Sequence, residues 1–213
     1  MEFLPEKIDQ YAGEHTTAES PLLANLSRET HLKVLVPRML SGHIQGRFLS
    51  MIAHMLKPKF ILEIGTYTGY SALCLAEGLH SDGKIITIDN NDELKEIHDA
   101  HMNNSEFDNQ IEFRLGPALD IIPTLENNID LVFIDADKPN YSNYFDAVID
   151  KMSPGGFILA DNVLWSGKVA EEIKPNDKST IAINAFNKKV HDDPRVENVL
   201  IPIRDGIMAL RKI

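Results

Sequence analysis

The chain has 213 residues, of which 43% are apolar and 25% charged, and this length and composition predict one globular domain. Its formal net charge of −11 disfavours binding to nucleic acid through the phosphates and binding to anionic membranes. The one cysteine, Cys74, excludes an internal disulfide. The polar N-terminus argues against a signal peptide, and the lack of a long apolar run argues against a membrane span. We therefore expect a cytoplasmic protein.

The first 58 residues carry helix signals and predict a helical cap in front of a core at residues 59–213. Ser20 followed by Pro21 is typical of a helix N-cap with proline in the first turn, and helical spacing continues after it. A second helix is expected from Gly46 to Leu56, ending before Pro58.

Short apolar runs alternate with helical stretches through the middle of the chain. This alternation predicts a parallel sheet covered by helices on both faces. The predicted strands are 60–65, 84–89, 111–116, 129–135 and 155–161, and the predicted helices are 69–80, 92–104, 117–126 and 140–152.

The C-terminal part departs from this alternation. A helix near 178–192 precedes two apolar runs, 196–203 and 204–212, with a turn centred on Asp205-Gly206, and Asp-Gly between apolar runs indicates a β-hairpin. The predicted fold class is therefore α/β, with a seven-stranded, mostly parallel sheet, an antiparallel C-terminal hairpin and extra N-terminal helices.

Acidic residues and glycines at the strand ends indicate a cofactor site, because ligands bind beyond the carboxyl ends of parallel strands. Glu63 and Gly65 end the first strand, and Gly65-x-x-x-Gly69 differs from the G-x-G-x-x-G of pyrophosphate sites. Asp89 ends the second strand, where a carboxylate accepts hydrogen bonds from ribose hydroxyls. A cationic, ribose-bearing cofactor such as S-adenosylmethionine suits both acids, although tight strand-to-helix turns also explain the glycines.

A second group of polar residues follows the fourth and fifth strands. If these strands are neighbours, the oxygens of Asp135, Asp161 and Asn162 converge, and such hard ligands suit Mg²⁺. Lys138 lies three residues past Asp135 and could act as a general base. The alternatives are a polar strand cap for the Asp-Asn pair and a surface lysine that balances Asp135 and Asp137.

The segments "LEIGTYTGYSALCLAEGL", "KIITIDNN", "GPAL", "VFIDADKPNY", "GGFILADNVLWSGKV" and "PIRDGIMALRK" together resemble the cation-dependent O-methyltransferases. This family includes plant caffeoyl-CoA O-methyltransferases, animal catechol O-methyltransferases and bacterial relatives. The resemblance covers roughly residues 37–213. It implies a single Rossmann-like methyltransferase domain over residues 1–213, S-adenosylmethionine as methyl donor, a divalent cation (Mg²⁺, or Ca²⁺ or Mn²⁺) and a homodimer.

The resemblance also assigns roles to individual residues. It implies that Lys138 is the catalytic base, with Asp135 beside it. The implied cation ligands are Asp135, Asp161 and Asn162. The implied neighbours of the acceptor are Lys138, Trp165 and Ser166. The implied cofactor contacts are Met39, Ser41, Glu63, Gly65, Thr66, Ser71, Asp89, Ala118, Asp135 and Asp137.

The predicted function is transfer of a methyl group from S-adenosylmethionine to a hydroxyl of a catechol-type aromatic small molecule. The alternatives are the same chemistry on a hydroxyuridine of tRNA, which would need a basic face, an NAD-linked oxidoreductase, and a non-catalytic binding module. The missing G-x-G-x-x-G argues against the oxidoreductase. Four tyrosines fit cleft lining and core packing equally well: Tyr67, Tyr70, Tyr141 and Tyr144.

Overall fold

The computed structural model describes residues 5–213, so the first four residues of the predicted N-terminal cap lie outside it. Three helices precede the sheet: α1 (Glu6–Glu14), α2 (Pro21–Lys33) and α3 (Gly42–Leu56). The predicted cap of α2 forms, because Ser20 Oγ accepts a hydrogen bond from the Leu23 backbone N–H at 3.3 Å.

Helix α3 begins at Gly42, earlier than the predicted start at Gly46. Gly46 therefore lies inside the helix and not at its first position. A Cβ at this position would be 2.7 Å from Tyr70 Cε1 and 2.8 Å from Cys74 Sγ. The glycine therefore allows α3 to pack closely against the next helix of the chain, and it does not mark a helix boundary.

The described residues form a seven-stranded sheet in the order β3-β2-β1-β4-β5-β7-β6. The first five strands pair in parallel, whereas β7 pairs antiparallel with both β5 and β6. The predicted fold class is confirmed. The strands are β1 (Phe60–Ile64), β2 (Lys84–Asp89), β3 (Ile111–Leu115), β4 (Ile129–Ile134), β5 (Met152–Asp161), β6 (Val196–Ile201) and β7 (Ile207–Lys212).

Helices connect the strands at the predicted places, but the four predicted at 69–80, 92–104, 117–126 and 140–152 are all shorter than predicted. The helix predicted at 117–126 is only four residues long and gives way to a 3-10 turn, because Pro123 has no N–H to continue it. The connecting helices are α4 (Tyr70–Ala76), α5 (Lys95–Met102), α6 (Ala118–Ile121), α7 (Tyr141–Ile149) and α8 (Lys178–Asp192).

The hairpin between β6 and β7 has a longer loop than the predicted turn at Asp205-Gly206. Strand pairing ends at Ile201 and Ile207, so the loop covers residues 202–206. Two of its residues, Arg204 (φ 48°) and Gly206 (φ 85°), have left-handed backbone. This loop is the part of the hairpin that reaches the edge of the sheet where the functional residues lie.

Two apolar clusters cover the two faces of the sheet, and the N-terminal helices belong to one of them. Leu62 of β1 packs in the cluster that includes Phe145 and Phe186 of helices α7 and α8. Ile61 points to the opposite face, where it shares a cluster with Leu26 and Leu49 of helices α2 and α3. Within residues 5–213 no helix is long and apolar enough to cross a membrane.

Candidate active site

A cleft of about 1630 Å³ opens at the carboxyl ends of the parallel strands. The strands bring their ends together there because β1 lies between β2 and β4, and β5 follows β4. Most of the predicted site residues line this cleft: Met39, Gly65, Asp89, Ala118, Asp135, Asp137, Lys138, Asp161, Asn162, Trp165 and Ser166. The other predicted cofactor residues are buried near its wall: Ser41, Glu63, Thr66 and Ser71.

Gly65 brings the backbones that follow β1 and β4 into direct contact. Its φ of 102° lies in the left-handed region, and a Cβ there would be 1.9 Å from the carbonyl oxygen of Asp135. The neighbouring backbone is paired as well, since Asp135 N–H donates to Ile64 O at 2.9 Å. Only glycine permits this approach, which places the predicted cofactor loop beside the predicted cation ligand.

The carboxylate of Asp89 is held at the end of β2 by two backbone donors. Its Oδ2 accepts a hydrogen bond from Tyr67 N–H at 2.8 Å, and its Oδ1 accepts one from Asn91 N–H at 3.0 Å. Each carboxylate oxygen has further lone pairs. The group therefore remains able to accept hydrogen bonds from the hydroxyls of a ligand in the cleft.

Glu63, in β1, is completely buried beneath the loop that follows this strand. Its Oε2 accepts a hydrogen bond from Thr87 Oγ1 at 2.5 Å, and Thr87 in turn contacts Thr66 Oγ1 at 2.6 Å. Its Oε1 has no hydrogen-bond partner within residues 5–213, and burial raises the pKa of the carboxyl to about 8. A cationic group in the cleft would favour the charged form of this acid, which fits the predicted sulfonium cofactor.

Lys138 lies at the centre of the polar residues that follow β4 and β5. Its Nζ donates to Asn162 Oδ1 at 2.7 Å, to Tyr141 Oη at 2.6 Å and to Asp135 Oδ1 at 3.2 Å. The ammonium is almost completely buried. Asp135 and Asn162 come from different strands, so their oxygens converge as the sequence predicted for neighbouring strands.

Asp161 contributes a second, deeply buried carboxylate to the same place. Its Oδ2 accepts a hydrogen bond from Gln45 Nε2 at 2.6 Å, and its Oδ1 accepts one from Asn162 N–H at 2.7 Å. Burial, together with the nearby charge of Asp135, raises the pKa of Asp161 well above its ordinary value. A cation at this position would favour the ionised carboxylate.

The chemistry of the donors fits a hard divalent cation. Two carboxylates and one amide oxygen meet here, and oxygen ligands suit Mg²⁺ or Ca²⁺. Over residues 5–213 no cluster of three or more His, Cys, Asp or Glu side chains is arranged to hold a metal, so the third protein oxygen of such a site would have to come from the amide of Asn162.

The loop after β5 has strained backbone and is hydrogen-bonded to the β6–β7 loop. Asn162, Trp165 and Ser166 have φ values of 59°, 48° and 57°, which non-glycine residues rarely adopt. Ser166 N–H donates to Asp205 Oδ1 at 2.6 Å, and burial raises the pKa of Asp205. Trp165 lies with its ring centre 5.8 Å from Lys138 Nζ, so this loop borders the open side of the lysine.

Three residues of the site had no functional role in the sequence analysis: Gln45, Tyr141 and Arg204. Gln45 meets Asp161 across 116 positions of sequence, and no local motif marks it. Tyr141 lies three residues after Lys138 at the start of α7, so helical spacing offered a signal for that pair. Among the four tyrosines left open, Tyr67 and Tyr144 line the cleft, whereas Tyr70 and Tyr141 pack in the interior.

Comparison with known families decides the class of protein. A family model described as O-methyltransferase matches residues 13–213. The chain belongs to this O-methyltransferase family. The match begins earlier than the region covered by the resemblance, which is roughly residues 37–213, so the family pattern of this O-methyltransferase includes helix α2.

Curated relatives and solved structures agree with this assignment. The O-methyltransferase is 40% identical over 180 residues to caffeoyl-CoA O-methyltransferase 2 of Eucalyptus globulus, with 79% of this chain and 73% of that protein covered. It is 38% identical over 180 residues to caffeoyl-CoA O-methyltransferase of Mesembryanthemum crystallinum, with coverage of 79% and 71%. The recognised family is therefore confirmed.

Two solved structures share almost the whole fold. The Bacillus cereus O-methyltransferase, solved with S-adenosylhomocysteine, has a TM-score of 0.88 at 28% identity and covers 97% of each chain. TomG of Streptomyces achromogenes, an O-methyltransferase of tomaymycin synthesis solved with S-adenosylmethionine, has a TM-score of 0.89 at 27% identity, with 97% of this chain and 96% of that chain covered. The resemblance predicted an S-adenosylmethionine-dependent O-methyltransferase, and the family match confirms that enzyme class over the NAD-linked and non-catalytic alternatives.

Proposed function

We propose that this O-methyltransferase transfers the methyl group of S-adenosylmethionine to a hydroxyl of a catechol-type aromatic small molecule, with the help of a divalent cation. The observation that carries the proposal is the convergence of Asp135 and Asn162 on the buried Lys138 ammonium, with the Asp161 carboxylate beside them. This group combines oxygen ligands for a cation with an amine for proton transfer at one edge of the cofactor cleft.

The cofactor would lie along the ends of β1 and β2. The Asp89 carboxylate is positioned to accept hydrogen bonds from the ribose hydroxyls, and the glycine at residue 65 allows the ligand to approach the backbone. The charge of buried Glu63 is complementary to a cationic ligand. The cofactors present in the Bacillus and Streptomyces structures support this placement, because those chains share the fold almost completely.

Asp135, Asp161 and Asn162 are the residues that would hold the cation. When bound, the ion would supply Lewis-acid activation of the phenol and would orient two adjacent oxygens of a catechol. The strands hold the three side chains in place, since β4 and β5 pair in register up to Ile134 and Ala160, directly before the ligands. Asp161 is held further by hydrogen bonds to both of its carboxylate oxygens.

In its neutral amine form, Lys138 would accept the proton of the reacting hydroxyl at its Nζ and become the ammonium. The resulting phenolate oxygen forms a bond to the methyl carbon while the bond from that carbon to the sulfonium sulfur breaks, which leaves S-adenosylhomocysteine. Opposite charges cancel in this step, so a dry pocket does not oppose it. The residues around the cleft therefore act mainly by alignment of the two reactants.

The acceptor would lie between Lys138 and the loop that carries Trp165 and Ser166. An indole ring beside the lysine suits a flat aromatic acceptor. The names of the plant relatives, caffeoyl-CoA O-methyltransferases, support an aromatic acceptor with adjacent oxygens. The net charge of −11 favours a small-molecule acceptor over tRNA. The homodimer and the cytoplasmic location remain predictions.

The deciding experiment is a methyl-transfer assay with labelled S-adenosylmethionine over free caffeate, caffeoyl-CoA, simple catechols, monophenols and bulk tRNA. We expect transfer to compounds with adjacent hydroxyls, loss of transfer after treatment with a chelator, and recovery with Mg²⁺ or Mn²⁺. Transfer that survives chelation would refute the role of the cation. Preferential methylation of tRNA would replace the small-molecule acceptor by the nucleic-acid alternative.

A further inference from the structure

We infer that Gln45 is a positioning residue, which holds the Asp161 carboxylate in the orientation that binds the divalent cation, and that Arg204 fixes Gln45 in turn. This inference rests on the proposed function, because it takes Asp161 as a cation ligand. Gln45 belongs to α3, Asp161 ends β5, and Arg204 belongs to the β6–β7 loop. Three distant segments of the chain therefore meet in a single hydrogen-bonded line.

The two ends of the Gln45 amide have partners that leave no choice of orientation. Its Nε2 donates to Asp161 Oδ2 at 2.6 Å, and its Oε1 accepts from Arg204 Nη1 at 3.1 Å. A guanidinium only donates hydrogen bonds, and the Asp161 carboxylate, which is ionised when a cation is bound to it, only accepts them. A rotated amide would set donor against donor at one end and acceptor against acceptor at the other.

Burial makes the contact with Asp161 strong and specific. Gln45 is 0% exposed and Asp161 is 2% exposed, so solvent water does not compete for the bond. Loss of the donor would leave a buried carboxylate oxygen unpaired, and such oxygens are expensive to leave without a partner. Without Gln45, the Asp161 carboxylate would keep the hydrogen bond from Asn162 N–H to its Oδ1 but would lose the one that orients its Oδ2.

Arg204 supports this arrangement from the other side of the cleft. The two hydrogens of its Nη1 are shared between Gln45 and the backbone carbonyls of Leu40, at 3.1 Å, and Ser41, directly before helix α3. Its φ of 48° is unusual for arginine, and these hydrogen bonds hold it there. The arginine thus connects the start of α3 to the β6–β7 loop by hydrogen bonds. These bonds hold Gln45 in the position from which it contacts Asp161.

The test measures the affinity of the full chain for Mn²⁺ by calorimetry, without acceptor or methyl transfer. Gln45→Met keeps the length of the side chain and removes the donor, and we expect Mn²⁺ to bind roughly 10- to 100-fold more weakly. Arg204→Met should weaken binding by a smaller factor. The double variant should be no weaker than Gln45→Met alone, because Arg204 acts through Gln45.

A matched control is available at the opposite edge of the sheet. There, Gln110 Nε2 donates to the backbone carbonyls of His80 at 3.2 Å and Gly83 at 3.1 Å. Gln110→Met removes a comparable set of amide hydrogen bonds far from the cleft, so it should leave Mn²⁺ affinity unchanged. The melting temperatures of all variants separate loss of stability from loss of the cation.

The outcomes distinguish this inference from the proposed function. The positioning role is overturned if Gln45→Met and Arg204→Met bind Mn²⁺ as the wild type does. The cation site is still supported in that case, provided that Asp161→Asn abolishes binding. Equal losses in Gln45→Met and Gln110→Met also overturn the positioning role. A wild-type chain that binds no Mn²⁺ overturns the inference and the cation site together.

Discussion

The ammonium of Lys138 donates a hydrogen bond to Asn162 Oδ1 at 2.7 Å, so the proposed base contacts one of the proposed cation ligands. The lysine and a bound cation therefore compete for the same oxygen. Tyr141 Oη, 2.6 Å from the Lys138 Nζ, gives the amine a second partner that is not a proposed cation ligand. Catalysis then needs both groups side by side, with the cation on the oxygens and the amine towards the acceptor.

Replacement of Lys138 by methionine should separate catalysis from cation binding. We expect kcat to fall by roughly 100- to 10,000-fold, as for other general bases, while Mn²⁺ affinity is kept or increased because Asn162 Oδ1 is freed. Steady-state kinetics and calorimetry provide the two readouts. Lys189→Met is a suitable control, since Lys189 pairs with Asp146 at 2.5 Å away from the cleft. Parallel loss of activity and cation affinity would indicate that Lys138 has only a structural role.

Asp89→Ala should weaken cofactor binding without slowing the chemical step. Hydrogen bonds to a charged group contribute about 1.5–3 kcal/mol, so we expect the KM for S-adenosylmethionine to rise roughly 10- to 100-fold at nearly constant kcat. Asp89→Asn keeps one acceptor oxygen and should have a smaller effect. A change confined to kcat would contradict the proposed contact with the ribose.

Two glycines with similar backbone allow a test of the contact between the loops after β1 and β4. Gly65 (φ 102°) and Gly155 (φ 77°) both have left-handed backbone, but only Gly65 is crowded, by the Asp135 carbonyl, whereas a Cβ at Gly155 meets nothing within 4 Å. Gly155→Ala should therefore cost about 1–2 kcal/mol of unfolding free energy, from backbone strain alone.

Gly65→Ala should cost more than Gly155→Ala by a further 1–3 kcal/mol or so, because overpacking is added to the strain. Urea unfolding of the two variants measures the difference. Cofactor affinity should also fall in Gly65→Ala and stay unchanged in Gly155→Ala. Equal destabilisation would mean that the two loops separate at little cost.

The buried Glu63 predicts an unusual dependence of stability on pH. Burial raises its pKa from the ordinary value of 4.5 to about 8, so the folded chain binds this proton more tightly than the unfolded chain does. The contribution of Glu63 to the unfolding free energy must therefore decrease as the pH rises from about 4.5 to about 8, and must level off above that.

Melting temperatures of the cofactor-free chain over this pH range check the prediction. Glu63→Gln keeps the size of the side chain and its hydrogen bond to Thr87 but has no charge to bury. Its melting temperature should decline less steeply than that of the wild type. Parallel curves for both proteins would mean that Glu63 is not the group that titrates.

Local patterns in the sequence were enough to predict the fold and the meeting of the polar strand ends. The change from helical spacing to short continuous apolar runs marks the strands, and parallel strands necessarily bring their carboxyl ends to one edge. Asp135 and Asn162 thus converge because β4 and β5 are neighbours. Pro123 was the local signal that the sequence analysis did not use, and it accounts for the short helix α6.

The sequence by itself determined the sheet, its order of elements and the kinds of side chain at its functional edge. Only the tertiary structure decided that Glu63 is buried next to the cleft, that Gln45 contacts Asp161 and that Arg204 contacts Gln45. These contacts join segments up to 164 positions apart, as in the bond from Arg204 to Leu40. A local pattern encodes how a segment folds, but the partner of a buried polar group depends on which distant segments pack against it.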